Sequence, residues 1–169
     1  MTVLLVRREG PGDVGSIRDV HRAAFGGGEP VEAGLVDALR ADAAWLPHLS
    51  LVAVRDGEVV GHVVATRARV RDVPALGVGP LGVLPAAQGR GVGCALMYAL
   101  LGAAQARDET IVGLLGEPAY YGRFGFVAAT DVGITPPDPG WGRYFQVLVA
   151  GGRSTTGPFR YAAPFDDVV

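Results

Sequence analysis

The chain has 169 residues, 49% hydrophobic and 19% charged, a length and balance that bury one sizeable core and exclude intrinsic disorder. A net charge of −2 and a pI near 5.9 supply no basic field, so neither nucleic acid nor an anionic membrane is an expected partner. All 15 Lys-plus-Arg positions are arginine, which excludes Schiff-base chemistry and the phosphate-gripping lysine of a P-loop.

In chain order, "TVLLVRRE" (2–9) reads as a strand. "PGDVGSIRDVHRAAFG" (11–26) reads as a helix capped by Asp13 or Ser16 and ended by Gly26. "VEAGLVDALRADAA" (31–44) places Val31, Leu35, Ala38 and Leu39 on one face of a second helix. "LSLVAVRDGEVVGHVVATRARV" (49–70) is two β-rich runs joined at an Asp-Gly turn, the signature of an antiparallel hairpin. "VPALGVGPLGVLP" (73–85) is the next strand, and Pro80 inside it predicts a bulge or a break in pairing.

From Gly91 the apolar spacing is helical to about Arg107. "TIVGLLG" (110–116) reads as a buried strand, "EPAYYGRFG" (117–125) as a short helix and "FQVLVA" (145–150) as a final strand. Residues 131–144 read as a turn-rich loop. The expected organisation is one α/β domain over 1–150 with a tail, 151–169, packed on it or extending it. No leader opens the chain at Met1, no apolar run approaches about 20 residues, and the lone Cys94 cannot form an internal disulfide, so a cytoplasmic location is expected.

A strand feeding a glycine-rich turn into a helix start, as at "QGRGVG" (88–93), presents unpaired backbone N–H groups and the positive helix end to an anion. The competing G-x-G-x-x-G match at Gly77, Gly79 and Gly82 lies inside a strand and opens no helix, so it reads as chance. No His/Cys/Asp/Glu spacing suggests a metal site. Without a ligand, 88–93 is simply a tight strand-to-helix turn.

"QGRGVG" also has the form Q/R-x-x-G-x-G/A, and "YYGRFGF" (120–126) contains Tyr-x-x-x-Gly-Phe further along. With "PLGVLPAAQGRGVGCALM" (80–97), "LLGEPAYYGRFGF" (114–126), "YFQVLVAGG" (144–152) and "GPFRYAAPF" (157–165), these patterns resemble the GCN5-related N-acetyltransferase (GNAT) superfamily, in its YhbS-like branch. The resemblance runs over residues 2–169 and is strongest over 80–126. It implies an α/β fold with a central, mostly antiparallel twisted sheet flanked by helices and splayed between the fourth and fifth strands.

The resemblance further implies acetyl-CoA as cosubstrate and direct transfer of its acetyl group to a primary amine in a ternary complex. Backbone at Leu81 and Val83 would hold the pantetheine arm. The amides of Gln88, Gly89, Arg90, Gly91, Val92, Gly93 and Cys94 would face the pyrophosphate, with the Arg90 side chain a further phosphate contact. Tyr121 takes the position of the family's general acid, with Tyr120 as the alternative. The fourth strand lacks the glutamate that many members use as base, which leaves Glu117 and His62 as candidates beside water-relayed deprotonation.

The amine acceptor is not legible, although Glu29, Glu32, Asp37 and Asp138 would favour a cation, and Trp45 or Trp141 would serve as a pocket wall or an anchor. A CoA-binding sensor without turnover and an α/β interaction domain without CoA remain open alternatives. A homodimer built through the last strand or tail is also compatible with the pattern.

Overall fold

The computed structural model describes residues 2–26, 28–151 and 155–168. Nine strands and four α-helices alternate among them: β1 (Leu4–Arg8), α1 (Val14–Phe25), α2 (Val31–Arg40), β2 (Ser50–Arg55), β3 (Glu58–Val70), β4 (Val73–Val83), α3 (Val92–Gln105), β5 (Ile111–Leu115), α4 (Pro118–Tyr121), β6 (Val127–Ala128), β7 (Ile134–Thr135), β8 (Phe145–Val149) and β9 (Gly157–Arg160). The sheet runs β1-β2-β3-β4-β5-β8-β6 and is antiparallel along this path except at β4–β5. β9 pairs the far end of β3, past the end of β2, and also pairs β7 in parallel.

Strand alternation assigns the two faces. On β2, Leu51 and Ala53 join Val63 and Ala65 of β3 against Leu96, Met97 and Leu100 of α3. Val52 and Val64, one residue out of phase, point the other way, against Ile17 of α1 and Leu35, Val36 and Leu39 of α2. Each fully buried Leu of these layers contributes about 1.5–3 kcal/mol of transfer free energy. A third cluster, with Phe145 of β8 and Phe159 of β9, fills the end of the sheet.

Pro80 and its neighbour Gly79 form the irregularity expected of a proline in a strand. Val63 opposes Leu81 and Ala65 opposes Val78, so two residues of β4 face the single Val64 of β3, a β-bulge. On its other side β4 pairs β5 only at Leu76 and Gly77. Beyond Gly77 the two strands part, and the edge of β4 from Val78 to Val83 lies open toward the splay.

Several local expectations are corrected. Asp13 does occupy the position before α1, but its carboxylate turns back to accept from the Gly10 amide at 2.6 Å and from Arg7 at 2.7 Å, so it caps no α1 amide. α2 stops at Arg40, four residues early. The loop 131–144 holds β7 and a 3-10 turn, Pro139–Tyr144, whose start is capped by Asp138 accepting from the Gly140 amide at 2.7 Å. β8 is not the last strand, because residues 155–168 add β9 and a 3-10 turn, Ala163–Val168, that buries Phe165.

Candidate active site

The turn between β4 and α3 is a cradle. Gly91 sits at the N-cap of α3 with φ 81° and Gly89 has φ 71°, both in the left-handed region that an L side chain resists. A Cβ built at either position meets nothing within 4 Å, so the space in front of this backbone is empty of protein. Gln88 ties the turn to the strand, its Nε2 donating to the Val83 carbonyl at 3.0 Å. A cavity of about 370 Å³ opens here, lined by Val83, the glycines, Val92, Cys94, Tyr120 and Arg123. Gly93 is glycine for a packing reason, since a Cβ there would lie 2.8 Å from the Tyr120 hydroxyl.

Arg90 is exposed and outside the cavity lining, whereas Arg123 lies within it. Arg123 stacks over the Tyr120 ring at 4.6 Å and its Nη1 approaches Cys94 Sγ at 3.5 Å. The reading from sequence missed Arg123; its place one turn after Tyr120 was the available signal. Tyr120 thus belongs to the cradle, where burial and the neighbouring Cys94 hold its hydroxyl above the usual phenol range.

A second cavity, of about 470 Å³, lies on the α1–α2 side of the splay. Its floor is β4 from Val78 to Leu81, and its walls come from Phe25, Val31, Leu35, Leu115, Tyr121, Trp141, Tyr161 and Phe165. Leu81 lines this cavity and Val83 lines the cradle. Two residues apart on one strand, they lie on the same face about 7 Å from each other. The exposed strand edge therefore joins the two cavities.

Tyr121 reaches the second cavity because Gly116 lets it: a Cβ at Gly116 would overlap the Tyr121 ring. Burial raises the Tyr121 hydroxyl pKa above the ordinary phenol value, which already lies well above neutrality. Tyr161 and Phe165, from the last residues of the chain, stack at 4.3 Å and complete a wall that no local pattern foretells.

The two base candidates lie elsewhere. Glu117 is exposed at the N-cap of α4 and lines neither cavity. His62 is fully buried and hydrogen-bonded through both ring nitrogens, Nδ1 to His21 Nε2 and Nε2 to Ser50 Oγ, each at 2.8 Å. Ser50 donates onward to Glu9 at 2.8 Å, and Arg40 clamps Glu9 at 2.7 Å. The Glu9 carboxylate only accepts, so this chain has a direction: Ser50 donates to Glu9, His62 donates to Ser50, and His21 donates to His62. The arrangement ties α1, α2 and the end of β1 to the sheet.

Electrostatics agree with that assignment. Burial raises the Glu9 pKa, but the nearby His62 and the bonds from Arg40 and Ser50 outweigh it and hold the carboxyl at about 2. Burial, then the electrostatic coupling to His62 and Arg40, lowers His21 to about 3, and burial lowers His62 as well. Of the acidic residues, Asp37 pairs with Arg18 and Arg40 and Glu29 with Arg22, while Glu32 and Asp138 line the second cavity. Trp141 lines that cavity and Trp45 lies under Arg40. Among the described residues there is no cluster suited to a metal ion and no helix long and apolar enough to cross a membrane.

The comparisons with known proteins fall on this geometry. The family described as Acetyltransferase (GNAT) domain matches residues 6–129, which include β4, the glycine turn and Tyr121. Uncharacterized N-acetyltransferase YjhQ of Escherichia coli K12 is 36% identical over 164 residues, covering 90% of this chain and 88% of the relative. The crystal structure of the E. coli GNAT family N-acetyltransferase YhbS in complex with CoA superposes with a TM-score of 0.91 at 31% identity, covering 98% of this chain and 93% of that one. A Brucella melitensis GNAT family acetyltransferase in complex with acetyl-CoA gives 0.80 at 35% identity, covering 97% and 99%. With the domain matched over most of its length and relatives this similar over nearly all of it, the chain belongs to the GNAT acetyltransferase family, in the branch of YhbS.

Proposed function

We propose that the chain transfers an acetyl group from acetyl-CoA to a primary amine by direct attack within a ternary complex. The observation that carries this reading is the continuity of the two cavities along β4: the cradle at 88–94 fits a pyrophosphate, and the open strand edge leads to the cavity lined by Tyr121. The left-handed glycines, with open space before them, present backbone amides at the positive end of α3. Arg123 adds a guanidinium beside them. Val83 and Leu81 line the path of the pantetheine arm between the two cavities.

Acetyl-CoA supplies a thioester whose carbonyl accepts the amine and whose sulfur leaves as a thiolate. Tyr121, a phenol whose pKa burial raises further, donates a proton to that sulfur and regains one from the nitrogen of the addition intermediate as the amide forms. The proton of the entering ammonium passes to water in the acceptor cavity, since neither Glu117 nor His62 lines it. This placement of roles supports a sequential mechanism with no covalent enzyme intermediate, and Cys94 serves as a wall of the cradle.

The test is Tyr121→Phe, assayed by release of the CoA thiol with a panel of primary amines and by calorimetry with acetyl-CoA. Loss of the acid lowers kcat by about 10²- to 10⁴-fold. Acetyl-CoA affinity stays unchanged. Equal kcat in the two proteins would remove Tyr121 from the role.

A further inference from the structure

The second cavity carries information about the acceptor. Its floor is apolar and buried: Val78, Pro80 and Leu35 are out of solvent, beside Leu81 and Tyr121 at the thioester end. Its only acidic or basic side chains, among the described residues, are Glu32 and Asp138. Both lie toward water, Glu32 half-exposed and Asp138 exposed. They belong to different elements, α2 and the turn that holds Trp141, and both line the cavity.

The other two acidic candidates are neutralised by arginines, but neither Glu32 nor Asp138 is paired with an arginine among the described residues. One oxygen of Asp138 holds the Gly140 amide and leaves the other for a ligand. A volume of about 470 Å³ suits a small molecule. Aromatic faces at Phe25, Trp141 and Tyr161 favour an apolar body and attract a cation.

Resting on the acetyl-transfer reading, we infer that the acceptor is a small amine with an apolar spacer and a second positive group at its far end. One nitrogen reaches the buried floor beside Tyr121 and Leu81, where it loses a proton and attacks. The other stays protonated at the mouth between Glu32 and Asp138. A carboxylate in that far position meets two like charges and is rejected.

Three probes of one shape isolate the far-end charge: 1,4-bis(aminomethyl)benzene, benzylamine and 4-(aminomethyl)benzoate. All present the same benzylic amine, with a positive, absent or negative group opposite. The expected order of kcat/KM is diamine, then benzylamine, then benzoate, with at least about tenfold between the first and last. Rising salt compresses the spread. In the double variant Glu32→Gln, Asp138→Asn the three values converge to within about twofold, and asparagine retains the oxygen that caps Gly140.

Equal kcat/KM for the three probes, an unchanged spread in the folded double variant, or no acetylation of any probe overturns the inference. Calorimetry with acetyl-CoA on the same preparation separates its failure from that of the wider reading. If acetyl-CoA binds and the order is wrong, the acceptor class fails; if acetyl-CoA does not bind, the transfer reading fails with it.

Discussion

Replacing Gly91 with alanine separates what the backbone of the turn needs from what its ligand needs. Gly91 has φ 81° and ψ 5°, and no protein atom lies within 4 Å of a Cβ placed there. The folded chain therefore incurs only the conformational strain of an L side chain in that region, about 1–2 kcal/mol. For a protein of this size that lowers Tm by about 2–8 °C. The added methyl does, however, occupy the space through which the amides approach a phosphate. Losing one charge-assisted bond of about 1.5–3 kcal/mol raises the Kd for acetyl-CoA by roughly 10- to 100-fold.

Gly102→Ala is the matched control. Gly102 is exposed in the interior of α3, again with nothing within 4 Å of its Cβ, so alanine stabilises the helix by about 0.5–1 kcal/mol. Tm rises by a few degrees and acetyl-CoA binds as before. Thermal unfolding followed by circular dichroism and calorimetric titration measure both quantities on the same samples. A Gly91→Ala protein that melts early yet binds acetyl-CoA with the natural Kd would refute the assignment of this turn to the pyrophosphate.

Three further outcomes follow from the packing and the buried polar chain. Both Glu9 and His21 have folded pKa values below their unfolded ones, about 2 against 4.5 and about 3 against 6.5, so their contributions are present at neutral pH and are lost as pH falls. Urea unfolding should show stability declining below about pH 6.5, at a slope approaching roughly 1.4 kcal/mol per pH unit from His21; a flat profile from pH 7 to 5 contradicts the direction assigned to the chain. Gly116→Ala, which sets a Cβ into the Tyr121 ring, should destabilise by about 1–3 kcal/mol and depress kcat while acetyl-CoA affinity holds; an unaffected kcat means the Tyr121 position is not critical. Phe159→Ala should cost about 3–5 kcal/mol by denaturant titration, since its ring is buried against Phe145 and Tyr161; a loss below about 1 kcal/mol would mean that β9 adds little to the core.

What the amino-acid order reveals and conceals follows from how local each feature is. The hairpin at Asp56–Gly57, the bulge at Pro80 and the turn at Gly89–Gly91 are dictated by backbone limits of one or two residues, so they can be read directly. The wall formed by Trp141, Tyr161 and Phe165 is a long-range product of β9 joining β3, and β9 itself is only four residues, opening on Gly-Pro, too short for its alternation to announce it. Charge pairing is equally nonlocal. Nothing in sequence separates Glu29 and Asp37, neutralised by arginines on α1 and α2, from Glu32 and Asp138, which face the cavity. His62 was a reasonable base on residue type, but only the fold shows both of its nitrogens committed to His21 and Ser50.

One ligand is expected to span the turn at 88–94 and the open edge of β4, with its thioester beside Tyr121. Titrating isotopically labelled protein with acetyl-CoA and following backbone amide resonances tests this directly. Binding should be one-to-one, with the largest shifts at Gly89, Gly91, Val92 and Gly93, continuing through Val83 and Leu81 to Tyr121. Absence of binding, or shifts confined to residues away from β4 and the turn, would contradict it.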